Sequence, residues 1–248
     1  EDENHRGLVA IKELQYDFVE DDSDKALLGV DVARLYMDQL DDLDNAESTF
    51  LKCLDWDETC ADAMAGLGDL CFSQGRFEDS ARHFESYLRS GENVSVEDRT
   101  RMVVALRNTG QFDKALEASV EVLELDPVNR DAREIRVEIL EARGNTVALE
   151  RELQAYETLL DDDGDNRLKF TVQSRLGQLA LDNDDLATSR EWFEKASRLN
   201  EQDAEIMGAL RGIAEREERW EDAAELGEKE LENADSGAQR REHLEHLQ

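Results

Sequence analysis

Two histidines near the end of the chain, His243 and His246, come closest to the spacing of a metal-binding pair. On a helix, residues three apart share one face, and imidazole nitrogens are common zinc ligands. A zinc site needs two further ligands, and the acidic residue between the two histidines is Glu245. The other histidines, His5 and His83, lie far away in the sequence. We therefore predict neither a metal site nor a cofactor.

An acidic run at residues 161–166 resembles a calcium-binding loop at first sight. Such a loop has Gly at its sixth place, oxygen ligands from its first place onward and a carboxylate at its twelfth. With Gly164 in sixth place, Leu159 would be the first ligand and Phe170 the last, and neither side chain can bind calcium. The better interpretation of this run, and of the acidic residues 20–24, is a solvated connector between helices.

The three cysteines, Cys53, Cys60 and Cys71, are the remaining candidates for nucleophilic or redox chemistry. Three is a small and odd number of cysteines, which does not suit a disulfide framework. The sequence therefore favours a reducing compartment. Cys53 and Cys71 fall at helix positions that call for a small buried residue. The sequence contains no phosphate-binding glycine loop, no serine nucleophile elbow and no His-Glu-x-x-His motif. It therefore predicts a protein that is not an enzyme.

The charge of the chain excludes some classes of partner. There are 62 acidic and 29 basic residues, which give a formal net charge of -33. Binding to nucleic acid needs clustered Lys and Arg, so we expect no nucleic-acid partner. Two explanations of the acidity stay open, namely solubility in a salt-rich cytoplasm, as in halophiles, and docking of a basic partner. The even spread of carboxylates along the chain favours the first.

No segment approaches the run of about 18 apolar residues that crosses a membrane, so membrane insertion is not expected. No basic start followed by an apolar core suggests an export signal. These patterns predict a cytoplasmic protein. Because the first residue is Glu1 rather than Met, the alternative that an N-terminal signal or anchor has been removed also stays open.

Short turns recur about every 34 residues, and each turn joins two amphipathic stretches. The clearest copies begin at Gly75 and Gly110, and weaker ones at Asp41, Gly144, Asp184 and Glu218. Self-similarity at this period predicts stacked helical hairpins rather than one globular core. In this frame the six units are 27–60, 61–94, 96–129, 130–164, 170–203 and 204–237.

The two ends fall outside the six units. Residues 1–26 contain a helix with Leu8, Ile11, Leu14 and Phe18 on one face, which we interpret as a cap or as the second helix of a truncated repeat. Residues 238–248 form a short helix that is a partial repeat or a cap.

Two local signals help to place the helices. Pro127 predicts that the helix before it ends near Leu125, and either Asn129 or Asp131 can cap the next helix. Gly68 and Gly177 share one position of the repeat, where a missing side chain lets two helices approach closely.

The pattern resembles the tetratricopeptide repeat family over residues 27–237. The second unit supplies Leu67-Gly68, Gly75, Phe77 and Phe84, the fifth supplies Leu176-Gly177, Phe193 and Ala196, and the third supplies Gly110, Ala115 and Pro127. The fourth unit departs most, with Ala148 one place early and Leu153 where the family has Phe. The resemblance implies an all-α fold, a right-handed superhelical solenoid of antiparallel helix pairs with about six repeats.

In the resembled family the first helices line a concave groove that binds a peptide or a helix of a partner. The resemblance then implies a noncatalytic protein-interaction scaffold with an acidic groove, whose partner is a basic or mixed basic and apolar segment. Leu35 and Phe72 would be apolar spots at one end of it. The groove residues would be Asp31, Leu35, Asp38, Asp62, Asp69, Phe72, Glu97, Val104, Arg107, Glu134, Glu138 and Glu141. Alternatives are a structural assembly subunit that self-associates through its repeat ends, and an interaction region of a larger multidomain protein.

Overall fold

The computed structural model describes residues 2–91 and 94–230, except for the side chains of residues 161–163, and every regular element in this part is helical. The end of the sixth unit, the predicted helix 238–248 and the pair His243 and His246 lie outside the described residues. The helices are α1 (Asp2–Gln15), α2 (Asp22–Gln39), α3 (Leu43–Trp56), α4 (Ala61–Ser73), α5 (Phe77–Arg89), α6 (Val96–Asn108), α7 (Phe112–Leu125), α8 (Arg130–Ala142), α9 (Thr146–Asp163), α10 (Asn166–Asp182), α11 (Leu186–Leu199), α12 (Ala204–Arg216) and α13 (220–230).

The predicted all-α class and its helix pairs are confirmed. In four repeats the first helix packs against the helix that follows it, namely α2 with α3, α4 with α5, α6 with α7 and α10 with α11. The chain divides into two compact parts, unit 1 (residues 1–139) and unit 2 (residues 140–248), and the division falls within α8. We describe the two units separately.

The turn inside each helix pair contains one left-handed residue in all six repeats. One residue there adopts a positive φ of 50° to 74°, always at the fifteenth place of the repeat frame. A left-handed residue of this kind lets the next backbone N–H return to a carbonyl five residues earlier, as Arg76 N does to Cys71 O at 2.8 Å. The six residues are Asp41, Gly75, Gly110, Gly144, Asp184 and Glu218.

Close helix packing in unit 1 depends on glycine at Gly68. A Cβ at this position would lie 2.7 Å from the ring of Phe84, a residue on the paired helix α5. Ser80 Oγ donates a hydrogen bond of 2.9 Å to the Gly68 carbonyl, which ties the same two helices together. The prediction of a close approach at Gly68 is confirmed.

Unit 2 repeats this arrangement between α10 and α11. A Cβ at Gly177 would lie 2.8 Å from the Phe193 ring, and Ser189 Oγ donates to the Gly177 carbonyl at 2.8 Å. Phe193 belongs to the hydrophobic core of this unit together with Ile206 and Ile213. The same sequence signal therefore produces the same packing in both units.

The helix ends follow the predicted signals in part. Helix α7 ends at Leu125, and Asn129 Oδ1 accepts a hydrogen bond from Ala132 N at 3.1 Å, so Asn129 rather than Asp131 caps α8. The interpretation of residues 161–166 as a connector is corrected, because α9 continues to Asp163 and stops only where Gly164 turns left-handed. Likewise α2 begins within the other acidic run, and Asp21 is its N-cap.

Helix α1 packs on α2 with one face and leaves the opposite face exposed. Val9 is buried, and the Tyr16 ring lies edge-on to Trp56 at 5.0 Å between ring centroids. Three large apolar side chains lie on the other face, with exposed fractions of 40% for Leu8, 58% for Ile11 and 66% for Leu14. Phe18, in the short 3-10 helix that follows α1, is 85% exposed.

Candidate partner-binding face

The candidate site in unit 1 is the side formed by the first helices α2, α4, α6 and the part of α8 up to residue 139, which we call the first-helix face. Helix α4 lies against both α2 and α6, so residues from successive repeats come side by side. Six of the predicted residues on this face are exposed and five are half-buried. The exposed ones are Asp31, Asp38, Asp62, Glu97, Glu134 and Glu138, and the half-buried ones are Leu35, Asp69, Phe72, Val104 and Arg107.

Basic side chains join the carboxylates of this face across neighbouring helices. Lys12 Nζ lies 2.8 Å from Asp31 Oδ2 and links α1 to α2. Arg34 Nη2 lies 3.1 Å from Asp62 Oδ1 and links α2 to α4. Because each of these side chains is partly exposed, a single pair contributes only up to about 1 kcal/mol to stability.

Arg101 on α6 is the centre of the next group of charges. Its Nη1 lies 2.7 Å from Asp69 Oδ1 on α4, and its Nη2 lies 2.6 Å from Glu97 Oε1 on its own helix. Burial raises the pKa of Asp69, and the nearby guanidinium of Arg101 opposes part of this rise. Arg101 therefore holds a carboxylate that would otherwise be costly to keep ionised at this depth.

Arg107 forms the link between α6 and α8. Its Nε donates to Glu138 Oε2 at 3.0 Å and its Nη2 donates to Glu138 Oε1 at 2.8 Å, a bidentate geometry that fixes the orientation of both side chains. Thus three arginines connect four successive first helices of unit 1.

Sequence reasoning included Arg107 in the groove but missed Lys12, Arg34 and Arg101. The signal that could have revealed the arginine pairs is opposite charge recurring a little less than one repeat apart, at separations of 28, 32 and 31 residues. Among the described residues, Asp38 and Glu134 are the predicted acidic groove residues of unit 1 with no ion-pair partner. These two carboxylates are the ones free to meet a cation from outside.

The apolar residues of the face are partly used for packing. The Phe72 ring lies edge-on to Phe77, with 5.6 Å between ring centroids, and both residues pack against the core of unit 1. Val104 packs against the same core. Leu35 is half-buried. The face therefore offers the exposed edges of apolar side chains rather than an open hydrophobic groove.

The last predicted face residue, Glu141, belongs to unit 2. Its Oε1 lies 3.8 Å from Arg175 Nε, at the limit of an ion pair, and both residues border a pocket of that unit. The structure therefore places Glu141 in a different setting from the other predicted residues.

The groups singled out for chemistry are in settings that disfavour it. All three cysteines are buried, and burial raises the pKa of Cys53 to about 12 and also raises those of Cys60 and Cys71, which keeps the thiols protonated. His83 is half-buried, and burial lowers its pKa. Over the described ranges, no three His, Cys, Asp or Glu side chains come together as a metal site would require.

None of the helices described combines the length and the apolar character needed to cross a bilayer.

Profiles of the tetratricopeptide repeat family match residues 32–94, 100–167 and 171–203, and the first two segments alone make up more than half of the chain. The chain belongs to the tetratricopeptide repeat family. The matched segments include the first-helix face apart from residues 22–31 of α2 and 96–99 of α6. The likeness therefore covers the helices that carry the candidate site.

Solved structures of tetratricopeptide proteins share this fold. YrrB, described as a TPR protein with an unusual peptide-binding site, is 19% identical with a TM-score of 0.57 over 74% of this chain and 91% of YrrB. A MamA protein is 19% identical with a TM-score of 0.56 over 73% of this chain and 95% of its own. MamA from Desulfovibrio magneticus RS-1 is 22% identical with a TM-score of 0.50, over 71% and 96% of the two chains. No curated protein matches the sequence.

Proposed function

We propose that the chain is a noncatalytic interaction scaffold whose first-helix face in unit 1 binds a peptide or a helix of a partner protein. The observation that carries this proposal is the row of first helices from successive tetratricopeptide repeats, which present carboxylates and apolar edges side by side. Repeated helices of this kind create an extended binding surface without any catalytic group.

The charges of the face specify the partner chemistry. Asp38 and Glu134 have no internal ion pair in the described part of unit 1, and the other carboxylates share their cations. A Lys or Arg of a partner can therefore pair with these two residues without displacing an internal bond. Apolar side chains of the same segment would contact Leu35 and the exposed edge of Phe72. The partner segment is therefore basic or mixed basic and apolar.

A random-peptide phage library selected against the immobilised full chain tests this function. We expect enriched sequences in which Lys or Arg alternates with apolar residues. Asp38→Lys and Glu134→Lys should each weaken the selected peptide about tenfold, because each places a cation where a carboxylate met the ligand. The matched control is Glu124→Lys, the same charge change at an exposed position of the second helix α7. Enrichment of acidic peptides, or equal loss in the control, would contradict the proposal.

A second candidate function is self-association, and the exposed apolar face of α1 favours it. Asn4, Gly7 and Gln15 share this face with Leu8, Ile11 and Leu14, so the face carries no charge although the chain as a whole is strongly acidic. In an antiparallel pair of α1 helices centred on Ile11, Leu8 of one copy lies opposite Leu14 of the other. An uncharged, self-complementary face suits a second copy of the same chain.

Light scattering of the full chain over a range of concentrations tests this second candidate. Self-association predicts a molar mass that rises with concentration and stays monomeric in the variant Leu14→Glu. The control Val120→Glu changes an exposed apolar residue on α7 and should leave the rise intact. A monomer at all concentrations would exclude this candidate.

A further inference from the structure

A pocket of about 330 Å³ opens in unit 2 between the end of α8, the start of α9 and the last turns of α10. Its apolar wall is formed by leucines. Leu140, Leu149 and Leu153 are buried and Leu179 is half-buried. The volume lies at the lower end of the range of ligand pockets, which suits one or two side chains rather than a bulky cofactor.

The pocket coincides with a departure from the repeat pattern. In the first, second and fifth repeats, the twentieth and twenty-fourth places of the repeat are a small residue followed by Phe. In the fourth repeat the same places are Leu149 and Leu153. The pairs in the other repeats are Ala46 and Phe50, Ser80 and Phe84, and Ser189 and Phe193. The fourth repeat therefore has a leucine where these three repeats have an aromatic ring.

Where another described repeat lacks this ring, an arginine side chain lies beside the position. In the third repeat the position is Ser119, and Arg136 Nη1 donates to Ser119 Oγ at 3.0 Å. In the sixth repeat the position is Gly227, and the Arg211 side chain lies 3.6 Å from where a Cβ would be. In the fourth repeat the position is Leu153, a buried side chain that lies in the wall of the pocket beside Arg175.

The rim of the pocket carries more negative than positive charge. Glu141 and Asp182 provide two carboxylates, and Arg175 provides one guanidinium that approaches Glu141 only to 3.8 Å. Gln178 Nε2 donates to Asp182 Oδ1 at 2.7 Å and fixes that carboxylate at the edge. A ligand that fills the leucine wall would therefore meet acidic groups directly beside it.

We propose that this pocket binds one large apolar side chain of a partner segment that carries Lys or Arg next to it. The apolar side chain packs against Leu149 and Leu179, and the neighbouring cation pairs with Asp182 or Glu141. This inference rests on the proposed function because its ligand is a protein segment. It assigns the segment to a site in unit 2, whereas the first-helix face belongs to unit 1.

Fluorescence anisotropy with labelled synthetic peptides and the full chain tests the pocket. One peptide has the order Lys-Phe-Lys between Gly-Ser spacers, a second has Ala in place of Phe, and a third has Glu in place of both Lys. We expect the first to bind at least about tenfold more tightly than either of the others, since burial of a phenyl ring and pairing of the cation are both required. Equal binding of the Phe and Ala peptides would overturn the proposal.

Substitutions in the pocket test whether the peptide binds there. Asp182→Lys should weaken the Lys-Phe-Lys peptide about fivefold or more, and the matched control Glu191→Lys, an exposed charge change on α11, should not. Leu153→Phe fills the pocket and should abolish binding. If that variant does not fold by circular dichroism, the rim variant Asp182→Lys still decides the matter.

Comparison with the face in unit 1 separates the two proposals. Loss of peptide binding in Asp38→Lys and Glu134→Lys but not in Asp182→Lys would overturn the pocket and leave the proposed function standing. Loss in Asp182→Lys alone, for both the synthetic and the phage-selected peptides, would support the pocket and contradict the assignment of the first-helix face.

Discussion

Gly177 allows close helix packing because it has no Cβ to contact the Phe193 ring. A methyl group there would lie 2.8 Å from two ring atoms of Phe193, closer than carbon atoms pack without displacement. Gly212 on α12 is also in a helix, but a Cβ there would meet no atom within 4 Å. Two glycines of the same unit therefore differ in what an added methyl group must displace.

We expect Gly177→Ala to lower the free energy of unfolding by about 1–3 kcal/mol, because the Phe193 ring must move in a well-packed core. Chemical denaturation of the full chain, followed by circular dichroism, measures the change. The control Gly212→Ala should raise the free energy of unfolding by about 0.5–1 kcal/mol, since Ala is the better helix former. Equal effects of the two substitutions would show that helix propensity, and not contact with Phe193, decides both.

Residue types alone allowed some of these contacts to be predicted. Gly68 and Gly177 were identifiable because a glycine at the same place of two repeats points to close packing. The link from Arg101 to Asp69 was not, because a long side chain can reach several carboxylates and the sequence does not say which. A glycine at a repeated position by itself predicts close packing, whereas an ion pair can be predicted only when the positions of both helices are known.

At the scale of the helices, the turn inside each repeat requires one left-handed residue. Gly75, Gly110 and Gly144 adopt this conformation at little cost, whereas Asp41, Asp184 and Glu218 do not. Glu218 has a φ of 60° and an exposed side chain. A residue with a Cβ is strained in this region by about 1–2 kcal/mol.

We therefore expect Glu218→Gly to raise the free energy of unfolding by about 0.5–1 kcal/mol, the strain relieved less the extra freedom of glycine in the unfolded chain. Thermal or urea denaturation measures it. Glu218→Ala removes the same charge but keeps a Cβ, so it should give no comparable gain. A gain of equal size in both variants would mean that charge removal, not backbone strain, is responsible.

The helix pairs followed from the period of the sequence, and Pro127 located the end of α7. The left-handed conformation of Asp184 and Glu218 could have been inferred only by aligning them with Gly75 and Gly110. The pocket beside Leu153 needed the structure, because the repeat pattern shows that a ring is missing but not whether another side chain fills the space. Backbone patterns are thus more predictable here than cavities are.

At the scale of the whole molecule, the dominant property is a net charge of -33. The ion pairs of the first-helix face neutralise part of it locally, but the excess of carboxylates is too large for the basic residues to balance. Salt screens both repulsion and attraction, and with 62 acidic and 29 basic residues the like-charged pairs over the whole chain outnumber the opposite-charged ones. The net effect of screening is therefore stabilising.

We expect the melting temperature to climb by several degrees as KCl rises from about 0.1 M to about 1 M, where the Debye length falls from about 10 Å to about 3 Å. Differential scanning calorimetry measures the rise. Sucrose at matched osmolality is the control, since it acts by exclusion from the surface without screening charge. A flat or falling curve in KCl would show that the internal ion pairs outweigh the repulsion and would favour a docking role for the carboxylates.

Arg34, Arg101 and Arg107 join successive repeats by holding the same carboxylates that a basic ligand would seek. A ligand lysine that binds Asp69 must displace Arg101, and the ion pair between α4 and α6 is then lost. Ligands that contact only Asp38 or Glu134 leave the ion pairs between the helices intact. Ligands that also contact Asp69 break an ion pair that joins two repeats. Ligand binding at the paired carboxylates therefore removes ion pairs that hold successive repeats together.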